Sequence, residues 1–152
     1  MTNDLTTQTT DRGLALAGPL PLDQHPALVY LAGLGSHQSR RVQGAALGRI
    51  AGLLTGNPDP LALDWGRLQY QHTAAIRARL AEAYAPATAN RMLAALRGVL
   101  MAAWRLGYMT AEQKARACDL APVRGKTLPA GRALSAGELA ALMAACEHDP
   151  TA

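Results

Sequence analysis

The sequence predicts an all-α protein: a four- to five-helix bundle, then a linker, then an isolated helix that opens a truncated second domain. Three observations carry that expectation. Alanine and leucine supply 56 of the 152 residues, whereas Val and Ile supply six and Phe none, and helices favour the first pair while strands favour β-branched and aromatic side chains. Apolar residues recur at helical spacing, and Pro, Gly and Ser/Thr caps separate the periodic stretches.

The elements follow in order. Residues 1–22 are rich in Thr, Gly and Pro without a period and are expected to be a mobile tail. Residues 23–121 form the helical domain. Pro26 opens its first short helix, turning Leu28, Val29, Leu31 and Ala32 to a core, and Gly33 and Gly35 end it. Ser36 caps a second helix that runs to about Thr55 and breaks at Gly56-Asn57-Pro58. Asp64 begins a third segment, with Leu63 and Leu68 as a hydrophobic staple, Trp65 as a core plug, and Thr73, Ile76 and Leu80 on the helix proper. A fourth long helix runs from near Pro86 to Leu106 and stops at Gly107. Thr110 and Gln113 form a capping box for a fifth, shorter helix. Residues 122–131 hold two prolines, two glycines and two cations and read as a solvated linker. In residues 132–152, Ser135 and Glu138 cap a last helix with Leu139, Leu142, Met143 and Cys146 on one stripe.

The net charge of +4 is unevenly spread. Between Ser36 and Lys126 there are 13 Lys and Arg against five acids, while the segments on either side are mildly acidic. Thirteen of the 15 basic residues are Arg, whose planar fork grips phosphate. A basic block of this kind points to a polyanionic partner, most simply nucleic acid.

Two helices share a pattern when projected at 100° per residue. On the second, Val42, Ala46, Ile50 and Leu53 make a core face, opposite His37, Arg40, Arg41, Gly44 and Gly48. On the fourth, Leu93, Leu96, Leu100 and Ala103 oppose Arg91, Ala94, Gly98 and Arg105. Glycine on an exposed helix face costs roughly 1 kcal/mol against alanine. Bare ridges flanked by arginine suit a flat, charged partner such as a DNA groove edge, with Ser36 and Thr88 at helix N-termini.

These residues resemble a family. A basic helical module, a proline-containing linker and Gly131-Arg132-Ala-Leu134-Ser135-x-x-Glu138-Leu139-x-x-Leu142 look like the N-terminal half of a tyrosine recombinase of the phage-integrase family. Pro86-Ala-Thr88-Ala-Asn90-Arg91-Met-Leu93-Ala-Ala-Leu96-Arg97 is similar to the last long helix of that family's core-binding domain. The resemblance covers roughly His25 to Cys146. It implies a SAM-like core-binding domain that clamps double-stranded DNA at a recombination site alongside other recombinase protomers. The implied DNA-facing residues are His37, Arg40, Arg41, Thr88, Asn90, Arg91 and Arg97, with Arg124 and Lys126 tracking phosphates from the linker, and the helix projection and caps add Ser36 and Arg105. The family's catalytic residues follow the point where these 152 residues stop, so none carries over and no enzymatic activity is expected of them.

Other chemistry fails on spacing. Gly125-Lys126-Thr127 has Leu120 where a P-loop needs glycine, so no nucleotide cofactor is expected. The four histidines pair at i, i+4 neither with one another nor with a cysteine, so no metal is expected. His37-Gln-Ser-Arg40 matches the family's catalytic His-x-x-Arg only in letters, and Tyr30, Tyr70, Tyr84 and Tyr108 are expected in the core. Cys118 and Cys146 read as buried thiols of a reducing, cytoplasmic (bacterial, nucleoid-associated) protein with no membrane partner. The alternative function is a protein-interaction module whose Gly/Ala faces accept partner helices without binding DNA.

Overall fold

A computed structural model describes residues 14–125 and 136–147. The protein is all-α, and among the described residues there is no strand. In chain order the α-helices are α1 (Pro26–Ala32), α2 (His37–Thr55), α3 (Tyr70–Ala83), α4 (Pro86–Arg105), α5 (Ala111–Cys118) and α6 (Ala136–Glu147). Short 3₁₀ turns at Leu22–Gln24 and Trp65–Arg67 precede α1 and α3.

Local chemistry sets the boundaries. Pro26 is the first residue of α1, and His25 caps it: Nδ1 accepts the Ala27 N–H at 3.1 Å. The other ring nitrogen lies 2.9 Å from the Leu61 carbonyl, which can only accept, so Nε2 carries the proton. Ser36 caps α2, accepting the Ser39 N–H at 3.0 Å. Gly56 ends α2 at φ 76°, a left-handed conformation in which glycine carries no side-chain penalty. Pro86 opens α4, and Thr110 and Gln113 exchange the two bonds of a capping box at 3.1 and 2.9 Å. The third helix starts later than expected. Residues 65–67 make a 3₁₀ turn, and α3 begins only at Tyr70, where the His72 ring accepts the Gln69 N–H at 3.0 Å.

Helix α4 is the central rod. It buries Ala89, Met92, Leu93, Ala95, Leu96, Val99, Leu100, Ala102 and Ala103, and helices α1, α2, α3 and α5 all pack on it. So many buried alanines let neighbouring backbones come close. Trp65 is fully buried between Leu63 and Leu68, its indole N–H donating to the Pro60 carbonyl at 2.8 Å. A buried tryptophan with its polar edge satisfied contributes apolar area without an unpaired donor.

Three expectations are corrected here. Leu14, assigned to the mobile tail, is in the core, and an antiparallel bridge pairs Ala15 with Leu63. Its two backbone bonds are Leu16 N–H to Ala62 O at 2.9 Å and Asp64 N–H to Leu14 O at 2.7 Å. Val123, assigned to the solvated linker, is buried against the bundle. Tyr70 and Tyr108 are 53% and 40% exposed rather than core residues, whereas Tyr30 and Tyr84 do pack on the core. The Leu134–Ser135 cap and the side chains of Leu139, Leu142 and Cys146 lie outside the described residues, and Met143 of α6 is exposed.

Candidate nucleic-acid interface

The residues expected to face DNA divide into two clusters and two outliers. Ser36, His37, Arg40 and Arg41 are all exposed at the start of α2. Arg40 donates to the Leu34 carbonyl at 2.9 Å, so it clips the end of the α1–α2 loop, while Arg41 has no partner among the described residues. At the other cluster, Thr88 and Arg91 lie in the first two turns of α4. Arg124 is brought beside them because Val123 is bonded to Asn90 and Gly125 abuts Pro86. Arg105 is exposed fourteen residues further along α4, about 21 Å at the helical rise. Lys126 lies outside the described residues.

Two of the expected contacts are used inside the protein. Asn90 grips Val123 by both backbone groups: its carbonyl oxygen accepts the Val123 N–H at 2.7 Å and its amide donates to the Val123 carbonyl at 3.0 Å. Arg97 donates to the Leu120 carbonyl at 2.7 Å and lies 3.5 Å from that of Cys118. Arg77 on α3, not singled out from the sequence, donates to the consecutive carbonyls of Ala121 and Pro122 at 2.6 and 3.0 Å. Residues 119–125 have no regular secondary structure, so their backbone groups need side-chain or solvent partners. Three side chains on α3 and α4 supply them. Burial pushes the half-buried Cys118 thiol above its ordinary pKa, opposed by Lys114 and Arg97 nearby.

The bare ridges are not bare. A Cβ on Gly98 would fall 2.6 Å from Cζ and 2.8 Å from Cδ2 of the Tyr30 ring. Tyr30 reaches across to α2, its hydroxyl donating to Gln43 at 3.4 Å, and Leu31 of the same helix packs on Gly44. Gly48 is buried under the Pro58 carbonyl, 2.9 Å from where its Cβ would stand, while Val42, placed on the core face, is 37% exposed. The glycines of α2 and α4 therefore seat α1 and the 56–60 loop. The 100° projection separates the two faces of a helix but does not say which of two short-residue faces the rest of the chain will cover.

What remains is charge. Between Arg40 and Arg124, Arg116 with Glu112 forms the only ion pair among the described residues. Arg49 lies over the Tyr84 ring and Lys114 over Trp104, at 5.8 and 4.5 Å from the centroids. Arg41, Arg79, Arg91, Arg105 and Arg124 are exposed and have no hydrogen bond, ion pair or ring contact among the described residues. Among those residues no cluster of His, Cys, Asp or Glu could hold a metal ion, and no helix is long and apolar enough to cross a membrane. No family model, curated protein or solved structure matches the chain.

Proposed function

We propose that this chain is the DNA-binding core domain of a site-specific tyrosine recombinase, inert in catalysis itself and working on double-stranded DNA in the bacterial cytoplasm with other protomers. One observation carries the reading: five exposed arginines with no ion pair among the described residues, within a segment of strong positive charge. Acids interleaved among them would relieve their mutual repulsion, though each exposed pair contributes at most about 1 kcal/mol. Unpaired guanidinium groups instead release counterions from a phosphate backbone. The resemblance of the Pro86–Arg97 helix to the family's core-binding helix supplies the recombinase part of the reading. Arg41, Arg91 and Arg124 are the phosphate contacts, with Arg105 at the far end of α4 and Ser36, His37, Arg40 and Thr88 beside them. Asn90 and Arg97 act through the fold.

The alternative of an interaction module has less support, because glycines on the faces that would accept a partner helix seat the chain's own α1 and 56–60 loop. The test is binding to a labelled duplex at 50 and 200 mM salt, across which a footprint of about six phosphates loses about a thousandfold in affinity. The triple variant Arg41→Ala, Arg91→Ala, Arg124→Ala should bind more weakly, flatten the salt slope by about three, and keep the parent's thermal midpoint. Salt-independent binding, or a variant that binds as tightly as the parent, would refute the proposal.

A further inference from the structure

We propose that the groove between the Trp65–Arg67 turn, the start of α3 and α5 binds a nucleotide, either free or as an unpaired residue of a nucleic-acid strand. The groove has a volume of about 680 Å³, inside the roughly 300–1,000 Å³ range of small-ligand sites. Its walls carry two tyrosine rings, Tyr70 and Tyr108, two guanidinium groups, Arg67 and Arg116, and the amides of Gln71 and Gln113. No carboxylate lines it.

The walls are held in place before any ligand arrives. Tyr108 is fixed at both ends: its hydroxyl donates to the Gln24 carbonyl at 2.7 Å, and its Cβ rests where a side chain on Gly66 would stand, 2.6 Å away. The Gln113 oxygen is taken by the Thr110 N–H, which leaves its NH₂ group to donate into the groove. Gln71 donates its own NH₂ to Gln69 at 2.6 Å, which leaves its oxygen to accept. Arg116 meets Glu112 through one nitrogen and keeps its other donors.

The combination selects the ligand class. A simple anion has no use for two aromatic faces, and a simple aromatic has no use for two guanidinium groups. A nucleotide uses both, stacking its base on a tyrosine, placing its phosphate against arginine, and meeting one donor and one acceptor amide along the base edge. This proposal does not depend on duplex binding, since none of its residues belongs to the arginine set above.

The test is an amide NMR titration of the 152-residue chain with dAMP, deoxyadenosine, inorganic phosphate and a single-stranded oligo-dA. With dAMP, the backbone amides of Gly66–Gln71 and the Gln113 side-chain NH₂ should shift at millimolar ligand, with much smaller shifts for nucleoside or phosphate alone. Tyr70→Ala should weaken dAMP about tenfold, the scale of one lost base–aromatic stack, and Tyr70→Trp should retain it. Tyr70 is mostly exposed, so a well-dispersed spectrum of Tyr70→Ala separates lost binding from lost folding. Tighter binding of oligo-dA than of dAMP identifies a strand as the source, and the reverse identifies a free nucleotide. Duplex affinity should be unchanged in Tyr70→Ala, and dAMP binding unchanged in the triple arginine variant, so each proposal fails separately. Absent shifts with dAMP, or equal shifts with phosphate alone, would overturn the nucleotide site.

Discussion

Replacing Gly98 by alanine sets two physical effects of opposite sign against each other, and the structure decides which wins. On an open helix face the substitution stabilises by about 1 kcal/mol, the difference in helix propensity. Here the new methyl group would clash with the Tyr30 ring, 2.6 Å from Cζ and 2.8 Å from Cδ2, with Cε2 nearer still, and the ring is tied to Gln43 on α2. Displacing a packed side chain typically costs about 1–3 kcal/mol, so the net effect in the parent is a loss of about 0–2 kcal/mol. In a Tyr30→Ala background the obstacle is gone and Gly98→Ala should stabilise by about 1 kcal/mol. The coupling between the two positions is then about 1–3 kcal/mol, far above the tenths expected of independent sites. Urea denaturation of the parent, both single variants and the double variant measures it, each kcal/mol moving the midpoint by about 0.5 M. If Gly98→Ala stabilises the parent by the full propensity difference, the Tyr30 ring does not rest on this glycine and α1 does not cover the ridge.

Asn90→Ala removes both bonds to Val123 and should cost about 1–3 kcal/mol in a thermal or urea melt, with the C-terminal part of the described bundle becoming sensitive to protease first. Gly66→Ala meets the Cβ of Tyr108, an atom fixed to its backbone that cannot swing aside, and should lower stability by about 1–3 kcal/mol. Burial lowers the pKa of His72 below its ordinary 6.5, so the unfolded chain takes up that proton first. Its contribution is complete above pH 6.5 and is lost as the pH falls through the folded value, so urea midpoints should drop from pH 7.5 towards 5.5 and drop less in His72→Gln. Burial shifts Asp64 the other way, upward, opposed by Arg67, the Gly66 N–H and His25. The folded chain then holds the proton more tightly, which adds stability below pH 3.8 and loses it as the pH rises through the folded value.

Most of the helix boundaries were legible because they rest on local chemistry. The Ser36 cap, Gly56, Pro86, Gly107 and the Thr110–Gln113 box each act within four residues of themselves, and each stands where the spacing predicts. The errors concern contacts between residues far apart in the chain. Leu14 enters the core beside the bridge of Ala15 to Leu63, and nothing in a stretch of Thr, Gly and Pro signals a partner about fifty residues away. Val123 looks like linker because the one side chain that satisfies both its backbone groups, Asn90, sits far back in the chain on α4. Tyr70 and Tyr108 fail for a related reason: periodicity places a residue on a stripe, but the groove beside them leaves that stripe open.

The candidate site shows the same division more sharply. Glycine and alanine along one face were expected to receive a flat, charged partner, but what covers them is the chain's own uncharged α1 and the 56–60 loop. The arginines beside those glycines must then be explained separately, since small residues no longer account for them. Arg40, Arg77 and Arg97 answer to backbone carbonyls within the fold. Arg41, Arg79, Arg91, Arg105 and Arg124 have no hydrogen bond, ion pair or ring contact among the described residues. A guanidinium group with no hydrogen bond or ion pair adds little to the stability of the bundle beyond the favourable place of Arg105 in the last turn of α4, and repulsion among several of them works against it. Their excess is intelligible if the opposing charge arrives from outside, which is why salt dependence, rather than stability, is the measurement on which the DNA reading stands or falls.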